Sequence, residues 1–136
     1  MFEQIPKDQE FKSWTNLYGV YAWQLPEYDI QRFAVESLNA LAMGCKAEPE
    51  IGQIEAENGL IVRYHCNELE DTLVVNGNNA ESAFLFMGQA GQSFAKVYMS
   101  WRGKAEDIDT EKWPLTEQVQ ADAINHMKVI YYFKAK

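Results

Sequence analysis

A chain of 136 residues that is 47% hydrophobic, with seven Phe, seven Tyr and four Trp, is too apolar to stay disordered and is the right size for one cored domain spanning 1–136. A formal net charge of −8 disfavours a nucleic-acid partner, because phosphate binding needs clustered Lys and Arg. The chain lacks an apolar run near the roughly 18 residues of a membrane helix, its opening MFEQIPKDQE has neither the basic nor the apolar part of a secretory signal, and a cytoplasmic location is expected.

From Asp8 the apolar positions Phe11, Trp14, Tyr18, Tyr21, Ala22 and Leu25 recur at helical spacing. They predict an N-terminal helical segment to about Leu17, with Tyr18–Trp23 equally suited to a strand and Pro26 as the stop. The next element is a helix near 29–43. Ile30, Phe33, Ala34, Leu38, Leu41, Ala42 and Cys45 form its apolar stripe, Asp29 its cap, and Arg32 and Glu36 a surface pair. Gly44 suits a left-handed position after its last turn.

Sheet follows. Residues 51–57 and 60–66 flank Asn58-Gly59, which predicts a hairpin with Glu55 opposite Val62 and Gln53 opposite Tyr64. The first arm has no cleanly apolar face, as an edge strand would not. Residues 72–75 before Asn76-Gly77, 83–87 and 94–101 read as three more strands, the last with Ala95, Val97, Met99 and Trp101 facing the core. Residues 79–87 also fit a two-turn helix. A polar loop covers 103–114, and Thr116 caps a C-terminal helix carrying Val119, Ala123, Met127 and Ile130, although 129–133 is β-rich enough for a strand. The fold class is therefore α+β: an antiparallel meander of about five strands packed against an N-terminal helical segment, a helix near 29–43 and a C-terminal helix.

The motifs argue against catalysis. Two Cys and two His are too few and too scattered for a structural zinc site. Asp107-Ile108-Asp109-Thr110-Glu111 begins like a calcium loop but has Lys112 where Gly belongs and Gln118 where Glu belongs. Gly88-Gln-Ala-Gly91 is too short for a phosphate loop, and neither His65 nor His126 sits in a nucleophile motif. Neighbouring strand residues point to opposite faces, so His65 does not activate Cys66, and Cys45 and Cys66 are expected as buried thiols. No catalytic residue, metal or cofactor is assigned.

Charge placement is the remaining signal. Between Glu48 and Glu81 eight acids face Arg63 alone, a local net of −7. With the aromatic surplus, this predicts a protein-binding module of the inhibitor or immunity type acting on a basic partner, through Glu55, Glu57, Glu68, Glu70, Asp71 and a partly exposed Trp113. The alternatives are a small-ligand binder or enzyme whose pocket between helix and sheet is walled by Tyr64, His65, Cys66 and Tyr98, and a homodimeric structural protein.

Overall fold

The computed structural model describes residues 2–10, 14–56 and 59–128. Among the described residues, apart from short 3-10 turns, the strands and α-helices are β1 (Phe2–Gln4), β2 (Asn16–Gln24), α1 (Ile30–Ala42), β3 (Glu50–Ala56), β4 (Gly59–Cys66), β5 (Ala80–Ala90), β6 (Ser93–Gly103) and α2 (Glu117–Lys128). The six strands form one antiparallel sheet in the order β1-β2-β6-β5-β4-β3. This is the expected α+β class. The meander runs β3 to β6, β3 lies on the edge as its polarity predicts, and the N-terminal hairpin extends the sheet beyond β6.

Each face of the sheet carries one helix. Phe33 and Ala34 of α1 pack on Val62, Tyr64, Leu85, Met87 and Phe94, while Ala123 and Met127 of α2 pack on Ile61, Phe84, Phe86, Val97 and Trp101. β5 sits centrally between both, and every residue from Glu81 to Gly88 is buried. Burying each large apolar side chain contributes about 1.5–3 kcal/mol, so this strand is the sheet's main source of stability. The expected inward set of β6 does face a core, under α2. Phe94 and Ser100, on the opposite face, are buried as well.

Both helices start where their capping residues predict. Asp29 Oδ1 accepts the Arg32 N–H at 2.8 Å, and Thr116 Oγ1 accepts that of Val119 at 3.2 Å, each satisfying a donor that the first turn leaves unpaired. Arg32 and Glu36 pair at 2.9 Å on an exposed flank, where solvent screening keeps their contribution small. Ile130 and the β-rich 129–133 lie outside the described residues.

Several expectations are corrected. The described residues of the stretch expected as helix to about Leu17 form none, residues 11–13 lying outside them, and the strand alternative for Tyr18–Trp23 holds: β2 pairs its nine residues with β6 from Asn16↔Trp101 to Gln24↔Ser93. Tyr18 and Val20 pack toward α2 while Leu17 is buried on the other face, so apolar residues fall on both faces and their spacing can mimic that of a helix. Residues 72–75 form no strand. A 3-10 turn covers Asp71–Leu73, and Asn76 and Gly77, both at positive φ (56° and 78°), make a turn closed by a single Val75↔Asn78 bridge. β4 already has β3 and β5 as neighbours, so that arm has no edge to join.

The β3–β4 hairpin exists in a different register, with Glu55 opposite Leu60 and Gln53 opposite Val62. Gly59 is thus a strand residue rather than a turn residue, and only glycine fits there, since a Cβ would lie 2.4 Å from the Met87 carbonyl oxygen. Gly44 is not left-handed; it lies against Leu73, whose Cδ1 would be 2.8 Å from an added Cβ. The two cysteines are not thiols. Cys45, just past α1, and Cys66, at the end of β4, form a disulfide with Cα atoms 5.9 Å apart. Backbone bonds from Lys46 N to Glu68 O (2.8 Å) and from Glu70 N to Gly44 O (2.9 Å) hold the two segments side by side.

Candidate functional site

A cleft of about 590 Å³ opens on the α2 side of the sheet, near its β3 edge, within the size range of small-molecule sites. Side-chain alternation places Glu50 and Gly52 of β3, Arg63 and His65 of β4 and Ser82 of β5 on one face, and these make the floor. Ile108, Asp109 and Trp113 of the loop before α2, with Gln120 of its first turns, make the wall. A Cβ built on Gly52 meets nothing within 4 Å, so the missing side chain leaves room in the floor and relieves no clash.

His65 is the best-held polar group in the cleft. Its Nδ1 lies 2.7 Å from Ser82 Oγ and its Nε2 2.8 Å from Asn67 Oδ1. A carbonyl oxygen only accepts, so Nε2 donates to Asn67, while Nδ1 and the Ser82 hydroxyl share the second hydrogen bond. Trp113 meets the imidazole edge-on, ring centroids 6.1 Å apart. The arrangement superficially suits a nucleophilic serine. Ser82, however, sits mid-strand between His65 and Trp101 of its neighbours, where nearby backbone N–H groups are engaged in the ladders and none is left to cradle an oxyanion. What remains is a rigid set of hydrogen-bonding groups between charges of both signs, Glu50, Asp109 and Arg63.

The four residues proposed as one pocket wall do not converge. His65 faces this cleft, whereas the buried Tyr64 donates its hydroxyl to the Leu41 carbonyl beneath α1 (3.3 Å), Cys66 is in the disulfide, and Tyr98 lies on the α1 face. Trp113 is buried rather than partly exposed, at 7% of its surface, because its ring fills the gap above Gly103, where a Cβ would come within 2.8 Å.

The acids of the −7 segment are dispersed too. Glu57 lies outside the described residues; Glu55 is on β3 opposite Leu60, at the hairpin end of the sheet. Glu68, Glu70 and Asp71 follow the far end of β4, roughly 23 Å away at about 3.3 Å per residue, more than twice the Debye length of about 10 Å at 0.1 M salt. Lys46 reaches both Asp71 (2.5 Å) and Glu68 (3.8 Å). Glu81 is not a surface charge at all. Only 2% exposed, its Oε2 accepts from the Tyr98 hydroxyl (2.6 Å) and Ser100 Oγ (2.5 Å) and pairs with Arg102 Nε at 3.5 Å. Burial, reinforced by the Glu81 charge, raises the Tyr98 phenol well above its ordinary range, so it remains a donor.

Ser82, Asn67, Arg63, Asp109 and Gly52 were not among the sequence-derived candidates. Gly52 was the legible signal, since a glycine inside a predicted strand marks a bulge or a close approach. Ser82 was not, because its meeting with His65 depends on cross-strand register. Among the described residues no three His, Cys, Asp or Glu side chains are grouped to hold a metal ion, and no helix is long and apolar enough to cross a membrane. No protein-family model matches the chain, and comparison with curated proteins and with solved structures returns no match.

Proposed function

We propose that this protein binds a small polar molecule in the cleft between β3, β4, β5 and the loop preceding α2. The observation that carries this reading is the doubly hydrogen-bonded His65 on the floor of an open, mixed-charge cleft. Gly52 supplies the test, because its replacement fills the site without touching the rest of the fold. Gly52→Val is expected to leave the protein as stable or up to about 1 kcal/mol more stable, since glycine inside a strand is unfavourable. Binding of any hit from a panel of amino acids, sugars and nucleosides, followed by chemical-shift perturbation, should vanish in that variant. His65→Ala should weaken it severalfold, because the Ser82 hydroxyl and the Asn67 amide lose the ring that holds them in place. Shifts that map away from the cleft, or undiminished affinity in Gly52→Val, would sink the reading.

A protein-binding surface of the inhibitor or immunity type is the second reading, supported by the grouping of Glu68, Glu70 and Asp71 after β4, with Glu68 and Asp71 exposed. For a basic partner, reversing these three to Lys should slow association about tenfold or more and remove its salt dependence, whereas reversing Glu55 should do little. Equal effects from both ends of the sheet would contradict a local acidic site. As to location, the disulfide favours an oxidising compartment over the cytoplasm.

A further inference from the structure

The other face of the sheet holds a second groove. One helix cannot cover six strands: α1 lies on the half of the sheet bearing Val62, Leu85, Met87 and Phe94, and beside it, toward β2, a space of about 430 Å³ is left open. Its apolar lining comes from Leu17 of β2, Leu41 of α1 and Leu85 of β5, with the ring of Tyr98. Tyr21 folds back over Gly19, its hydroxyl 2.6 Å from where a Cβ would stand, and so lies along β2.

The charges in this groove are unequally satisfied. Arg102 pairs with Glu81 and stacks on Trp14 with its Cζ 4.2 Å from the ring centroid, and Glu3 accepts the Tyr21 hydroxyl. Lys96 is different. It is half-buried, its Nζ lies 5.3 Å from the Tyr21 ring centroid and 5.7 Å from that of Trp23, and no carboxylate of the described residues is within ion-pairing distance. Burial lowers its pKa, the mark of an ammonium that has lost water without gaining an anion. Arg102 is six residues along β6, roughly 20 Å at about 3.3 Å per residue, so it does not share Lys96's ligand.

We infer that this groove binds an amphipathic monocarboxylate, its carboxylate on Lys96 and its apolar body over Leu17, Leu41 and Leu85. The anion restores the missing partner of the ammonium, and the aliphatic or aryl body covers Leu41 and the Tyr98 ring, the partly exposed part of a lining in which Leu17 and Leu85 are already buried. A singly charged head suffices, because Lys96 is the one uncompensated cation the groove presents among the described residues.

The experiment is a titration of the full chain with n-decanoate, read by calorimetry and by the fluorescence of the tryptophans, of which Trp14 and Trp23 flank the groove. Decanoate is expected to bind, with n-decanol and acetate each at least about tenfold weaker, since one lacks the charge and the other the body. Lys96→Met, which keeps the length and apolar stem, should lose at least about tenfold in decanoate affinity at unchanged melting temperature, and Lys96→Arg should largely retain it. Gly52→Val, on the opposite face, should have no effect, which separates this site from the polar cleft. Equal binding of decanol and decanoate, full affinity in Lys96→Met, or no heat and no fluorescence change at millimolar decanoate would overturn the assignment.

Discussion

Replacing Glu81 with alanine is expected to cost about 3–5 kcal/mol of folding stability, the range for removing one partner of a buried ion pair. The loss comes from what stays behind. Arg102, with 16% of its side chain exposed, would keep its charge without a carboxylate, and the Tyr98 and Ser100 hydroxyls would lose their shared acceptor. Glu81→Gln should cost less, because its amide oxygen still accepts from Tyr98 and Ser100 while only the charge is lost. Urea denaturation of both variants checks this. A loss below about 1 kcal/mol for the alanine variant would mean that water replaces the carboxylate and that the network adds little beyond what it costs to bury.

Removing the Cys45–Cys66 disulfide is expected to cost about 3 kcal/mol, because the bond closes a loop with a sequence separation of 21 and thereby restricts the unfolded chain. Alanine at both positions is the suitable change, since Cys66 is fully buried and a hydroxyl there would need a partner. The double variant should still fold, as the Lys46–Glu68 and Gly44–Glu70 backbone bonds remain to hold the end of α1 against β4. Thiol counting gives an independent check: none in the native protein, none after denaturation without reductant, and two after reduction. Two thiols titrating without reductant would restore the cytoplasmic expectation and remove the bond from the stability account.

What could be read from the sequence alone was whatever short-range chemistry decides. Asp29 and Thr116 cap because a side-chain oxygen needs only a donor three residues on, and the stripe from Ile30 to Leu41 names the face of α1 because a helix repeats within its own turn. The hairpin of β3 and β4 and the edge position of β3 were legible for the same reason, as was the α+β class. Only the tertiary structure decided what depends on which strands become neighbours. β2 is a strand because β6 offers it nine partners, although the spacing of its apolar residues fits a helix as well. The acids between Glu48 and Glu81 look like one charged patch along the chain, but β4 holds them apart and β5 buries Glu81 beside Arg102. Ser82 meets His65, and Cys45 meets Cys66, across 17 and 21 residues of sequence. Such contacts are set by register and helix placement, which minimise the energy of the whole sheet, and no local window of residues encodes them.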